Sequence, residues 1–252
     1  MKKNIAIVNQ KGGVGKTTTA INLAAGLAEK GKRTLLIDLD PQANSTIGLG
    51  IEPESFSVAI HQVLLKKAPI SKAILKTKIP GLDLVPSHIR LEKAEQELTP
   101  ELFKEERLYK AIRDLDEYEF IIIDCRPTLG TLTINALYAC DLVLVPCEMS
   151  RYALDGFSDL MESIEAVKNS DHTQFVRILL TKYDSRNKIT NDWILDKLKP
   201  FEGLTLKPYI RKNEALNQAH IAEEPIFSYQ AQSLGAQDYR ELTKNILALC
   251  QQ

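Results

Sequence analysis

The chain has 252 residues, 44% hydrophobic and 26% charged, with a formal net charge of −1, a composition typical of a globular protein with a substantial buried core. So balanced a charge excludes polyanion binding through the overall field, and any such contact needs a local basic patch. The chain start does not read as a signal peptide, and no apolar run approaches the ~18 residues of a membrane span.

Ile5-Ala6-Ile7-Val8 predicts a buried strand and residues 19–28 predict a helix. Between them, Asn9-Gln10-Lys11-Gly12-Gly13-Val14-Gly15-Lys16-Thr17-Thr18 forms a strand-to-helix turn. Phosphate recognition needs that placement, because consecutive backbone N–H groups line the loop and the helix N-terminus adds partial positive charge. Gly12, Gly13 and Gly15 allow close backbone approach, Lys16 reaches the β and γ oxygens, and the Thr17 hydroxyl suits Mg²⁺.

Gly31 reads as the helix C-cap before a second strand, residues 33–40. Strand, helix and strand in about forty residues predict a βαβ unit and a parallel sheet. Asp38 and Asp40 close the second strand at its C-terminal end, where open α/β sheets place ligands, and the polar run 41–46 reads as a mobile loop. Residues 55–78 read as short helices and 81–86 as a strand. Ser87 is expected to cap a helix with Ile89, Leu91, Ala94 and Leu98 inward and Glu92, Glu95 and Glu97 near its solvated side. A charged helix follows over 102–117.

Phe120-Ile121-Ile122-Ile123-Asp124 is the strongest strand signal, a buried parallel strand delivering a carboxylate to the sheet edge. In P-loop proteins such a carboxylate holds Mg²⁺. Further strands are expected at 141–146 and 176–184, with a helix ending near Asn169 and an amphipathic helix over 237–250. The last places Tyr239, Leu242, Ile246 and Leu249 on one face. The predicted fold is a single α/β P-loop domain over residues 1–252, with a three-layer, doubly wound, mostly parallel sheet. Cys125, Cys140, Cys147 and Cys250 lack CxxC or zinc spacing and read as small hydrophobes of a reducing compartment.

Lys11-Gly12-Gly13-Val14-Gly15-Lys16-Thr17-Thr18 resembles the deviant Walker A motif of the ParA/MinD superfamily, with Gln10 where a standard P-loop begins with glycine. Asp38-x-Asp40-Pro41-Gln42-x-Asn44 resembles its switch I. Asp124-Cys125-Arg126-Pro127-Thr128-Leu129-Gly130 resembles its switch II, with Arg126 replacing a usual proline. Residues 84–98 and Tyr152-Ala153-Leu154-Asp155-Gly156 carry further resemblance, although Ser150 and Arg151 replace an acidic and an aromatic residue. Together these resemble the small ParA (Soj-like) ATPases over nearly the whole chain.

The resemblance implies ATP and Mg²⁺ as cofactors, the metal held by Thr17, Asp40 and Asp124. It gives Lys11, Lys16 and Asp40 catalytic roles, Asp40 positioning the attacking water and Lys11 crossing a homodimer interface to bind the other subunit's nucleotide. Gly12, Gly13, Val14, Gly15, Lys16, Thr17 and Thr18 would cradle the phosphates, with Pro208 and Arg211 beside the adenine or ribose. It also implies nonspecific binding of double-stranded DNA by the ATP-bound homodimer, and release when a ParB-like centromere-binding partner stimulates a slow hydrolysis. The cargo would be chromosome or plasmid DNA, and the location cytoplasmic and nucleoid-associated.

The charge pattern offers a place for the DNA. From Arg177 to Lys212, nine Lys or Arg stand against four acids. Arg186, Lys188, Lys197, Lys199, Arg211 and Lys212 are the expected phosphate contacts. The alternative is a MinD-like membrane-associated division-site regulator, which would continue past the last helix into a basic amphipathic anchor. This chain stops at Gln252, and Arg240 and Lys244 are too few to serve, so no membrane contact is expected. Nor is there room before the P-loop for the helix-turn-helix of larger partition ATPases. A cluster carrier like nitrogenase iron protein would need cysteines bridging a dimer, and Cys125 has no matching second ligand.

Overall fold

The computed structural model describes residues 2–150, 156–169 and 171–251. In chain order these form β1 (Lys3–Ile7), α1 (Lys16–Glu29), β2 (Thr34–Leu39), α2 (Asn44–Ile47), α3 (Ile60–Leu64), β3 (Leu75–Lys76) and β4 (Leu82–Val85). Next come α4 (Arg90–Leu98), α5 (Arg107–Ile112), β5 (Phe120–Cys125), α6 (Thr131–Ala139), β6 (Leu142–Glu148), α7 (Phe157–Lys168) and β7 (Val176–Thr181). The chain finishes with α8 (Lys188–Lys197), β8 (Thr205–Leu206), α9 (Glu214–Ile221), α10 (Ile226–Tyr229) and α11 (Leu234–Cys250).

The eight strands make one sheet in the order β3-β4-β2-β5-β1-β6-β7-β8, parallel throughout except for the antiparallel edge strand β3. Parallel strands covered on both faces need apolar residues at odd and even positions alike. All six residues of β2 and of β5 are accordingly buried. Val8, Ile37, Ile123, Val145 and Ile178 pack against Ile60, Leu91, Leu108, Leu137, Leu160 and Ile194 of α3 to α8. On the opposite face Ile7, Leu36, Ile122, Leu144 and Leu179 meet Leu23, Leu27, Ile226, Leu242 and Ile246 of α1, α10 and α11. This is the expected doubly wound, three-layer α/β fold. The chain leaves β1 for one half of the sheet and later fills the other, so the crevice at the C-terminal end of β1 is the topological switch point.

Several elements differ from expectation. The 102–117 helix shortens to α5, because the run Lys104-Glu105-Glu106 has no apolar stripe, and the residues that reach the core, Leu108, Ile112 and Leu115, all lie after it. Phe103, at φ 56°, turns the chain before a single 3₁₀ turn. Residues 55–78 hold α3, one 3₁₀ turn (Ile70–Lys72) and the unforeseen two-residue β3. Ser87 caps nothing: α4 begins at Arg90 behind a helical Ile89, while the Ser87 N–H donates to Thr46 Oγ1 at 3.0 Å. Glu95 is drawn inward, its side chain 15% exposed. The expected motif at 152–155 and Arg151 lie outside the described residues.

Candidate functional site

The glycine-rich turn sits on the switch point, running from the end of β1 into α1. Gly13 (φ 74°) and Gly15 (φ 90°) occupy the left-handed region that favours glycine, whereas Gly12 does not need it. The turn is pinned by its neighbours: Thr181 Oγ1, at the end of β7, donates to Val14 O at 2.8 Å, and the Lys11 N–H donates to Asn9 Oδ1 at 2.9 Å. Asn9 is itself tied to Pro146 O at 2.7 Å.

Lys16 is buried, and its Nζ donates to Lys11 O at 2.9 Å, across the loop. Burial pulls its pKa below the usual lysine range, opposed by the charges of Asp124, Cys125 and Asp40. Lys11 instead turns to its own chain: Nζ donates to Ser150 Oγ at 2.9 Å and lies 3.6 Å from Glu148 Oε2, with 30% of its side chain exposed. Glu148 Oε1 also pairs with Lys182 at 3.2 Å.

The carboxylates converge on the same crevice. Asp38 and Asp124 are register partners on the adjacent strands β2 and β5, and both are buried. Asp124 Oδ2 accepts from Ser45 Oγ at 2.8 Å, whereas Asp124 Oδ1 is buried with no hydrogen-bond partner among the described residues. Burial raises the Asp124 pKa, and the hydrogen bond from Ser45 opposes the shift. Asp38 Oδ2 accepts from the N–H (2.8 Å) and hydroxyl (2.7 Å) of Thr46. Its pKa is raised by burial and by the Asp124 charge. Asp40 caps its own turn, Oδ1 accepting from the Gln42 N–H at 3.0 Å.

Gly12, Gly13, Gly15, Lys16, Thr17, Thr18 and Asp40 line one cavity of about 610 Å³, closed on its far side by Glu92, Arg126 and Pro127. A second cavity of about 370 Å³ shares Gly15, Thr18, Lys182 and Asn217 with it and continues past Arg211, Asn213 and Tyr239. A charged, glycine-lined chamber next to a mixed polar and apolar one suits a nucleotide's phosphates and base respectively. Arg211 lines the second chamber, but its guanidinium is clamped on Asp238 of α11 by contacts of 2.6–3.1 Å. Pro208 lines neither chamber.

The residues expected to hold Mg²⁺ are suited to it by their donor chemistry. Asp124 Oδ1, partnerless among the described residues, the Thr17 hydroxyl and the Asp40 carboxylate are hard oxygen donors of the kind Mg²⁺ takes. Cys125 is buried, and its thiol is pushed well up by burial and by Asp124, the reverse of what a thiolate ligand requires.

The expected DNA contacts border different cavities. Arg186, Arg211 and Lys212 line a shallow cavity of about 390 Å³ together with Asp184 and Glu214. Lys199 borders another with Asp192, Asp196 and Glu202, and pairs with Asp196 at 2.7 Å. Lys188 and Lys197 are exposed at the two ends of α8. Arg186 is gripped by Asp184 at 2.7–3.2 Å, which holds the Asp184 carboxyl down at about 2.

Sequence reading did not single out Ser45, Thr46, Glu92, Lys182 or Asn217 as site residues. Only Ser45 and Thr46 carried a local signal, as the residues directly after the Asp-x-Asp-Pro-Gln-x-Asn string.

Fold and site together define a P-loop nucleotide-binding protein with a second lysine at the loop's start. A family model described as an AAA domain, AAA_31, matches residues 2–178. The sporulation initiation inhibitor protein Soj of Bacillus subtilis is 42% identical over 251 residues, covering 98% of this chain and 99% of that protein. The chromosome partitioning protein ParA of Myxococcus xanthus is 41% identical over 246 residues, covering 96% and 87% respectively. Among solved structures, a Mycobacterium smegmatis protein described as cobyrinic acid a,c-diamide synthase, with bound ATP analogue and magnesium, superposes with a TM-score of 0.86. It is 34% identical and covers 100% of this chain and 96% of its own. The chain belongs to the ParA/Soj family of partitioning ATPases.

Proposed function

We propose that this protein binds ATP and Mg²⁺ in the paired chambers, dimerises when they are bound, and holds double-stranded DNA nonspecifically until a ParB-like partner stimulates hydrolysis. The observation that carries the reading is a phosphate cradle with two lysines: Lys16 buried within it, Lys11 part-exposed at its rim. Lys16 and the loop N–H groups bind the triphosphate. Thr17, Asp40 and Asp124 hold Mg²⁺, which neutralises charge on the β and γ oxygens. Asp40 orients the attacking water.

Lys11 serves the other subunit's nucleotide, so it must leave Glu148 and Ser150. Part-exposed ion pairs contribute little, and that exchange is available at small cost. The identity to partition proteins over nearly the full chain supports this assignment above others built on the same fold.

The deciding measurement is ATP turnover with and without DNA and a cognate ParB-like protein, beside sizing with ATP and Mg²⁺. Slow basal turnover, raised by the two together, and an ATP-dependent dimer are expected. An Asp40→Ala variant that stays monomeric with ATP and Mg²⁺ would remove the switch.

A further inference from the structure

The stretch 84–98 resembles its family without an obvious role, and Arg126 departs from it; the structure joins the two. Glu95 Oε2, on α4, accepts from Arg126 Nη1 at 2.5 Å, and Glu92 Oε1 stands 4.0 Å from Arg126 Nη2. The other oxygen, Glu95 Oε1, accepts from the Leu132 N–H at 3.2 Å. That amide belongs to the first turn of α6, whose N-cap Gly130 has no side chain to offer. A Cβ at Gly130 would strike the Glu95 carboxylate, so glycine leaves the slot in which it lies. Beside it, the hydroxyls of Thr99 and Thr131 meet at 2.9 Å.

We propose that Glu95 is a positioning residue for the ATPase: one carboxylate fastens both ends of the loop 126–130 to α4 and so fixes the Arg126–Pro127 wall of the phosphate cavity. The inference rests on the nucleotide reading above. The pair is four-fifths buried on either side, Arg126 being 20% and Glu95 15% exposed, so salt screens it weakly. Proline at position 126 would restrain the loop through its ring; here an ion pair restrains it from outside.

The test has two arms. In the first, amide exchange is followed over residues 126–132 in nucleotide-free protein. Glu95→Ala and Arg126→Ala should each speed it by about tenfold or more, because the loop then opens locally. In the second, each substitution should lower kcat for ATP about tenfold while KM changes less than about threefold, the signature of lost positioning. Glu95→Ala with Arg126→Ala should be no slower than the slower single variant, since both remove one fastening. Arg126→Pro should restore kcat to within about threefold of the original, a rescue that a merely stabilising ion pair would not give.

Unchanged exchange in Arg126→Ala, additive losses in the double variant, or an Arg126→Pro variant as slow as Arg126→Ala would overturn the proposal. Should Glu95→Ala fail to fold, Glu95→Gln keeps an acceptor for the Leu132 N–H and removes only the charge, and an intermediate loss is expected. A parent protein that hydrolyses no ATP defeats the nucleotide reading, and the exchange arm still decides the clamp.

Discussion

Asp38 and Asp124 lie side by side on adjacent strands, buried and served by hydroxyls and amides from α2 and its flank. Burial raises both pKa values, with the Asp124 charge adding to the shift at Asp38 and the Asp40 charge adding to that at Asp124. For Asp38 the linkage has a definite sign. Below the unfolded-chain value of about 3.9 both states carry the proton; above it the unfolded chain releases the proton and the folded chain keeps it until its raised pKa is passed. Stability is therefore greatest at the acidic end of that window and falls as pH rises through it. The melting temperature of nucleotide-free protein should drop from about pH 5 to about pH 8, and Asp38→Asn should flatten the slope. An Asp38→Asn profile as steep as the parent's would assign the slope to other groups. At Lys16 the expectation is simpler, since its ammonium is the buried cation inside the loop. Lys16→Ala should abolish binding in a fluorescent-nucleotide titration, while Asp40→Ala should retain binding and lose turnover.

Among the elements, α11 shows how the C-terminal segment supports the nucleotide site from behind. Leu242 and Ile246 are fully buried against α1, and the Tyr239 hydroxyl meets Thr19 Oγ1, one turn into α1, at 3.1 Å. Leu242→Ala should cost about 2–5 kcal/mol in denaturant unfolding, and the surviving folded fraction should bind ATP as before. This helix was legible in the sequence because Tyr239, Leu242, Ile246 and Leu249 repeat at helical spacing. The central strands were legible too, since burial on both faces leaves unbroken apolar runs such as residues 120–123. What escaped were elements and roles fixed by distant partners. β3 is two residues long and pairs with Leu84 and Asp83 of β4. Glu95 has helical spacing like any surface glutamate, and only the approach of Arg126 and the start of α6 gives it an inward partner. Ser45 and Thr46 read as turn residues until the fold sets Asp124 and Asp38 against them.

At the scale of the whole molecule, a net charge of −1 means that the proposed DNA contact would have to come from placement. The structure separates the basic residues into two neighbourhoods. The first sets Arg186, Arg211 and Lys212 against Asp184 and Glu214, and the second sets Lys199 and Lys207 against Asp192, Asp196 and Glu202. Acids repel a phosphate as bases attract it, so the balance favours the first neighbourhood for binding. Arg211 is committed to Asp238, but Arg186 is 86% exposed on the side chain and its pair with Asp184 is one that a DNA phosphate can displace. The expected order is then specific. Arg186→Glu and Lys212→Glu should each weaken binding to an arbitrary duplex and flatten its salt dependence by about one released counterion for each phosphate no longer neutralised. Lys199→Glu should change affinity less than either. Fluorescence anisotropy with ATP, Mg²⁺ and the hydrolysis-deficient Asp40→Ala background, across a salt series, reads both quantities. Nucleotide-free protein in the same series measures one subunit's patch. If ATP closes two subunits onto DNA, the second contact becomes intramolecular, and affinity should rise by far more than twofold while the salt slope doubles. Equal slopes with and without ATP would mean that a single subunit binds, and DNA retention would then have no connection to the nucleotide.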